Sequence, residues 1–227
     1  MDLGSAEMHV QELWRYPVKS MRGERIREAT LDRTGFKGDR NVVVVSATYG
    51  RVLTARTYPD LLGLQASFTE DGMTLIEGHP WNSSAALELT REAAGEPVRL
   101  VSAGTRTERF DVLPLLVATD GAIRELDLDF RRLRPNIVIG DVSGQTERSW
   151  PGASLVCGSV VIDVAQLRSR CVMTTFDPDS LEQDYGVLRK IAREAEGKIA
   201  LDCAVASPGV LHVGDAIFLR PHPEGDI

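Results

Sequence analysis

The stretch Arg168-Ser169-Arg170-Cys171-Val172-Met173-Thr174-Thr175-Phe176-Asp177-Pro178-Asp179-Ser180 sets one cysteine beside two arginines, then a hydroxyl-bearing run, then a turn-forming Asp-Pro-Asp-Ser. A thiol is a nucleophile or metal ligand only as the thiolate, and guanidinium charge nearby favours that form. These residues admit two readings: a reactive or metal-binding cysteine, or a half-buried structural one in a surface loop. The flanks of the loop are regular. Ser154 to Val164 alternates like a strand, with Cys157 in its apolar middle as a core residue. Downstream, Ser180 to Glu196 is the one strongly signalled helix. Ser180 and Gln183 form a capping box, and Tyr185, Leu188, Ile191, Ala192 and Ala195 give an apolar face. Acidic residues near its start, basic residues near its end and Gly197 at C′ complete the pattern. Three more strands follow, at Ala200 to Val205 (with Cys203 as a second core thiol), Val210 to Val213 and Ala216 to Leu219.

Working back towards the N-terminus, Met8 to Trp14 reads as a strand ended by Tyr16-Pro17, and Val18-Lys19-Ser20 places an ammonium and a hydroxyl at the strand end. A strand near 26–32 leads into Thr34-Gly35-Phe36-Lys37-Gly38-Asp39-Arg40, whose glycines permit a tight loop. Asn41 to Val45 is a β-branched run suited to a strand buried on both faces, and the Tyr49-Gly50 turn returns the chain through Arg51 to Arg56. Glu70-Asp71-Gly72 closes a hairpin between Leu64–Thr69 and Met73–Glu77. Periodicity weakens over residues 79–104, which sets a domain boundary within ten residues of Glu92. Beyond it, an apolar segment from Leu113 enters a short helix at Thr119, a natural N-cap, and Arg131-Arg132-Leu133-Arg134-Pro135-Asn136 leads into the strand Ile137 to Gly140. The fold class is mainly β with minor α (α+β). An N-terminal β-rich lobe (1–92) precedes a second β lobe carrying the main helix (93–222), and 223–227 form a loose tail.

A chain of 227 residues with net charge −7 is poorly suited to nucleic acid or an anionic membrane surface. No apolar run approaches the ~20 residues of a membrane-spanning helix, and Met1 to His9 lacks a signal-peptide pattern, so the cytoplasm is the expected location. Three widely spaced cysteines suit a reducing compartment and are too few for an iron–sulfur cluster held by the usual four thiolates. The four histidines show no zinc-ligand spacing.

Six segments together give the sequence a recognisable likeness: Leu13-Trp14-Arg15-Tyr16-Pro17-Val18-Lys19-Ser20, Gly38-Asp39-Arg40, Leu53-Thr54-Ala55-Arg56, Leu133-Arg134-Pro135-Asn136-Ile137-Val138, Arg170 to Asp179, and Val213-Gly214-Asp215. In this order they resemble the MOSC family, the molybdenum cofactor sulfurase C-terminal domain proteins, with their N-terminal β-barrel domain, and especially the amidoxime-reducing branch with its mitochondrial and bacterial members. The resemblance implies a β-barrel for the second lobe and a pterin-based molybdenum cofactor (molybdopterin) whose metal is ligated by Cys171. It assigns Lys19, Ser20 and Arg40 to the phosphate and pterin end and lines the remainder with Arg134, Asn136, Ser169 and Arg170. Arginine suits phosphate because its planar fork meets two oxygens at once. Asp177 is a candidate for positioning a proton or water, beside its simpler reading as a turn residue bonded to its own backbone. The implied activity is oxygen-atom removal from small N-hydroxylated or N-oxide substrates, with electrons from a separate redox protein. A sulfur carrier with a Cys171 persulfide and a non-catalytic cofactor-binding protein are the alternatives. Pyridoxal phosphate, used by a separate domain of the name-giving sulfurases, is not expected. Where family members often carry small hydroxyl residues before a proline, this chain has Val112-Leu113-Pro114.

Overall fold

The computed structural model describes residues 8–104 and 107–221; the tail 223–227 lies outside them. The first half contains β1 (His9–Arg15), β2 (Glu24–Ile26), β3 (Glu28–Asp32), β4 (Gly35–Phe36), β5 (Val42–Ser46), β6 (Ala66–Phe68), β7 (Thr74–Ile76), β8 (His79–Pro80), α1 (Ser84–Ala94) and β9 (Val98–Ser102). The second contains β10 (Leu115–Thr119), α2 (Asp120–Glu125), β11 (Ile137–Gly140), β12 (Ala153–Cys157), β13 (Val160–Ser169), α3 (Tyr185–Ala195), β14 (Lys198–Ser207), β15 (Gly209–His212) and β16 (Phe218–Pro221). The fold is mainly β with minor α, as the sequence implies.

The strands of the second half build an eight-stranded sheet in the order β16-β12-β13-β14-β10-β11-β1-β2. Its one parallel pair, β10 and β11, is joined through α2, the crossover a parallel pair requires. The chain's first strand therefore does not belong to the first lobe. β1 lies between β11 and β2, and the sheet β15-β3-β4 adds Ala29, Leu31, Phe36 and Leu211 to the core formed by Val10, Leu13, Val117, Ile139, Ile162 and Leu201. A separate core holds the first lobe together: Val18, Met21, Val42, Val44, Leu53, Leu61, Ile76 and Ala86. Val43 and Val45 pack with Ala103 on the opposite side of β5, so this strand is buried on both faces as its run of valines requires. A third cluster seats α2 and α3, through Ala122, Leu126, Ile191 and Ala195, on Leu116, Ala118, Ile199 and Ala200.

Four expectations change. The weakly patterned stretch after His79 contains α1, capped by Ser83 Oγ accepting from Ala86 N and ended by Gly95 at φ 65°. Its buried residues are Ala86, Thr90 and Ala94, small side chains four apart that leave only a faint apolar stripe. The boundary expected near Glu92 falls inside this helix, and β9 beyond it pairs with β5 from Val42↔Ser102 to Ser46↔Val98. Arg51 to Arg56 contributes the Val45↔Val52 bridge, on the edge of β5 opposite β9, rather than a full strand. Ser154 to Val164 is a hairpin of β12 and β13 turning at Gly158 (φ 55°) rather than one strand. Finally, α3 starts late. Asp184 is its N-cap, accepting from Gly186 N at 2.7 Å, while Gln183 Nε2 donates 3.1 Å to Thr175 Oγ1. Gln183 therefore ties the helix entry to the cysteine loop instead of completing a capping box. The inward face is Val187, Ile191 and Ala195, leaving Tyr185 and Ala192 exposed.

Glu147 is buried at the end of β10, where Thr119 Oγ1 donates to its carboxylate at 3.1 Å. Burial raises the pKa of this acid, so the folded state holds its proton more tightly than the unfolded state does. Its contribution is then most favourable below the unfolded pKa and is lost as pH rises through the folded one. Glu147→Gln, which removes the charge and keeps an acceptor, is expected to raise the melting temperature at pH 7.5 by about 2–4 °C, the shift that ~1 kcal/mol produces in a chain of this size. The gain should shrink towards pH 4; calorimetry across that range checks it.

Candidate functional site

Cys171 ends the long β13 excursion and precedes a 3-10 turn, Val172–Thr175. The turn is self-contained. Thr174 Oγ1 donates 2.9 Å to Cys171 O and Thr175 Oγ1 donates 2.6 Å to Val172 O, so the hydroxyl run secures the backbone. Arg170 N donates 2.9 Å to Gly197 O, fixing the loop to the end of α3. The sulfur is left facing a cleft between the lobes. That cleft is lined by Lys19, Ser20, Arg40, Thr54, Arg56, Phe110, Asp111, Leu113, Arg132, Arg134, Asn136, Arg168, Ser169, Arg170 and Met173.

Seven of its lining side chains are cationic and one, Asp111, is anionic, in a chain whose net charge is −7. Several are held in positions an ordinary L-residue avoids: Ser20, Arg40 and Arg134 have φ of 72°, 48° and 59°. Each is tied to its surroundings. Ser20 Oγ accepts from Ala55 N at 3.0 Å, Arg40 N donates 2.7 Å to Tyr16 O, and Arg134 Nη2 donates 2.6 Å to Met21 O. Tyr16 serves as a floor, with the guanidinium carbons of Arg134 and Arg40 lying 4.3 and 5.2 Å from its ring centroid. Asn136 makes three hydrogen bonds: its Oδ1 accepts from Leu116 N (3.2 Å) and Arg40 Nη1 (3.3 Å), and its Nδ2 donates to Trp14 O (3.2 Å). It locks β1 to β10 and aims Arg40.

The electrostatics are those of an anion site. Burial pulls the pKa values of Arg134 and Arg170 down to about 10, with Arg40 and Arg168 respectively adding like-charge repulsion. Both remain protonated at neutral pH. Burial alone would push the Asp111 carboxyl up, but Lys19, Arg56 and Arg168 overcome it and hold the group at about 2. Arg170 Nε is buried without a hydrogen-bond acceptor. Arg168 Nε approaches Asp202 Oδ1 at 2.6 Å as an ion pair, but at an angle that makes no hydrogen bond. Buried donors lacking acceptors, on residues lining a strongly cationic cleft, fit an oxyanion-bearing ligand.

The cleft brings together Lys19, Ser20, Arg40, Arg134, Asn136, Ser169, Arg170 and Cys171. Asp177 is placed elsewhere, lining a neighbouring cavity with Trp14, Arg22 and Phe176. Its Oδ1 accepts from Asp179 N and Ser180 N, both at 3.0 Å, and its Oδ2 accepts from Arg132 Nη2 at 2.7 Å. Those backbone bonds, with the Arg132 charge behind them, lower its pKa. Sequence reasoning did not single out Arg56, Asp111 and Arg132 as site residues. Lys19 Nζ lies 2.9 Å from Asp111 Oδ1, and Arg56 Nη2 lies 2.6 Å from Asp111 Oδ2. Val112 points to solvent and Leu113 lines the cleft.

The other two thiols are shielded. Burial pushes Cys157 up to about 11, with Asp215 adding to it, and Cys203 higher still. Brief treatment of native protein with iodoacetamide at pH 7.5 should therefore add one carbamidomethyl group, on Cys171, and three after unfolding; intact-mass and peptide analysis checks both counts.

Fold and cleft together define a two-lobed β protein that presents one cysteine to a cation-lined cleft built from both halves of the chain. Two family models divide the sequence between them: the MOSC N-terminal beta barrel domain over residues 7–110 and the MOSC domain over residues 115–218. The chain belongs to the MOSC family. It is 26% identical over 280 residues to human mitochondrial amidoxime-reducing component 1, covering 92% of this chain and 82% of that one. It is 27% identical over 228 residues to human mitochondrial amidoxime reducing component 2 (75% and 67% covered). A molybdenum cofactor sulfurase of Caenorhabditis elegans matches at 27% identity over 46% of this chain and 14% of its own. Among solved structures, the YUAD protein of Bacillus subtilis shares the fold, with a TM-score of 0.53 at 12% identity over 95% of this chain and 97% of that one. Among the described residues, no helix is long and apolar enough to cross a membrane.

Proposed function

We propose that this protein is a molybdenum-cofactor-dependent reductase that removes oxygen from N-hydroxylated or N-oxide compounds, with electrons delivered by a separate redox protein. The observation that carries this reading is the meeting of one accessible thiol with seven cations, five of them paired with Asp39, Asp111, Asp177 and Asp202, and the other two, Arg134 and Arg170, buried beside it with only backbone carbonyls as their hydrogen-bond acceptors. Among the described residues no three His, Cys, Asp or Glu side chains group to hold a metal, so Cys171 would be the protein's ligand and the pterin dithiolene would supply others. When bound, the cofactor supplies the two-electron oxygen-transfer chemistry.

The chain's own residues bind, orient and shield. Lys19 and Arg40 would take the cofactor's phosphate, with the Ser20 hydroxyl proton free to donate because its oxygen already accepts from Ala55 N. Arg134 and Arg170, held by the carbonyls of Met21 and Leu133, would donate to the pterin. Asn136 contributes by holding Arg40, and Ser169 by lining the wall beside Cys171. Asp177, bonded to its own turn and to Arg132, acts on the shape of the loop rather than on a proton.

Expression in cells that make the cofactor, followed by elemental analysis and benzamidoxime reduction with reduced viologen, tests the proposal. The expected result is about one molybdenum per chain and turnover. Protein that is metal-free from competent cells would end the proposal. Full occupancy without turnover would leave a cofactor-binding protein only. A gain of about 32 Da on Cys171, one sulfur atom, would point to the carrier reading instead.

A further inference from the structure

Beside the cleft, and sharing the side chains of Arg132, Arg134 and Met173 with it, lies a second cavity of about 350 Å3. Part of its lining is apolar: Trp14, Tyr16, Leu62, Met173 and Phe176. The fold sets the aromatic members in place. Trp14 Nε1 donates 2.6 Å to Glu12 Oε2, and the indole meets the Phe130 ring edge-on at 5.8 Å. A Cβ at Gly23 would collide with the Tyr16 ring, so the lack of a side chain there leaves room for the phenol. Phe176 is carried by the cysteine loop, and the Pro178 carbonyl of that loop accepts from Arg22 Nη2 at 2.8 Å.

Charge is spread unevenly over the same lining. Arg131 grips both oxygens of Asp179 (2.9 and 2.7 Å), and Arg132 pairs with Asp177 at 2.7 Å. Glu24 pairs with Arg15 at 2.8 Å, and Arg25 with Glu12 at 3.5 Å. Among the described residues, no carboxylate pairs with Arg22 or Arg134. Arg134 gives Nη2 to Met21 O and lies over the Tyr16 ring. Arg22 keeps a buried Nε with no acceptor. A buried guanidinium N–H without an acceptor is costly, and a carboxylate is the partner that its fork matches best.

We propose that this cavity is a second ligand site, built for a planar aromatic carboxylate: the rings pack on the aromatic wall and the carboxylate accepts from Arg22. The volume suits a two-ring acid, since an apolar cavity of about 150 Å3 admits one benzene ring and this cavity is more than twice that size. Cys171 lines the cleft and not this cavity, so the site stands or falls apart from the reductase reading.

Calorimetric titration of the full chain, metal-free or loaded, with 2-naphthoate is the test. One molecule should bind per chain with a submillimolar dissociation constant. Neutral 2-naphthamide, the same shape without the charge, should bind at least about tenfold more weakly, because it forms no charge-assisted pair. Arg22→Gln should weaken 2-naphthoate binding by at least about tenfold and leave 2-naphthamide nearly unchanged. Phe176→Leu, which removes a ring and keeps apolar bulk, should weaken both compounds about threefold. Lys19→Gln/Arg40→Gln, which alters the cleft alone, should bind 2-naphthoate as the wild type does. Absence of saturable binding up to millimolar concentration overturns the proposal. So does wild-type affinity in Arg22→Gln, or a loss of affinity in Lys19→Gln/Arg40→Gln, which would place the compound in the cleft. If Arg22→Gln does not fold, equal affinity of the wild type for the acid and the amide overturns the proposal without any variant. Protein that carries no molybdenum yet binds 2-naphthoate in this pattern would remove the reductase reading and leave this site standing.

Discussion

Cys171→Ser is expected to yield a folded protein with molybdenum at background level and benzamidoxime reduction at least about a thousandfold down, a loss of roughly 4 kcal/mol of transition-state stabilisation. Folding should survive because the turn depends on the Cys171 carbonyl, which accepts from Thr174 N at 3.0 Å and from Thr174 Oγ1 at 2.9 Å, and not on the sulfur. The side chain is only partly buried, so replacing sulfur by oxygen opens no core cavity. The metal should be lost because a serine hydroxyl, with a far higher pKa than a thiol, is a poor match for the soft anionic ligand it replaces. Cys157→Ser and Cys203→Ala provide the contrast: both should keep full molybdenum per folded chain, Cys203→Ala at a cost of about 1–2 kcal/mol in stability for the lost buried volume. A Cys171→Ser protein that retains its metal would remove the thiolate from the coordination set.

The fold was legible in the sequence where one physical signal dominated. Val42 to Val45 could only be a strand covered on both sides, and Thr119 caps α2 with the bond to Ala122 N that its position suggests. Reading failed where the signal was weak or local rules competed. Helix α1 buries alanines and a threonine, so its apolar stripe is faint and its strongest marker is Gly95 as a left-handed stop. Ser180 and Gln183 have capping-box spacing, but the Asp177 turn and Leu181 at φ 61° delay the helix to Tyr185. The placement of β1 between β11 and β2 is a long-range pairing with no local trace.

The site was legible in a different way. Its cations were marked by order along the chain and by resemblance, and the cleft gathers them from segments as distant as Lys19 and Arg170. What the sequence concealed was the division of labour among them. Asn136 looks like a ligand contact and spends its amide on Leu116, Trp14 and Arg40. Arg56 lies in one of the segments that carry the resemblance, but its meeting with Asp111 comes only through tertiary structure. The positive φ of Ser20, Arg40 and Arg134 is equally invisible, since none of the three is a residue that signals such a conformation.

The same three-dimensional crowding predicts a large ligand effect on stability. Arg134 and Arg170 have folded pKa values of about 10, below their ordinary value of 12.5, chiefly through burial. For a base with a depressed folded pKa, the unfavourable contribution is present in full below the folded value and is relieved only as pH rises towards the unfolded one. At pH 7 both groups therefore oppose folding, and an anion that binds the folded state and not the unfolded chain offsets this. Phosphate at about a hundred times its dissociation constant should add ~2.7 kcal/mol of stability. In a chain of this size that corresponds to a rise of about 5–10 °C in melting temperature. Metal-free protein scanned by calorimetry in phosphate and in chloride at matched ionic strength should show that difference, because screening alone acts equally in both. The increment should fall by more than half in Lys19→Gln/Arg40→Gln, which removes the two proposed phosphate contacts. Equal melting temperatures in the two salts would mean that the cleft's cations are already satisfied within the protein, and that an anionic ligand is not what they were gathered to hold.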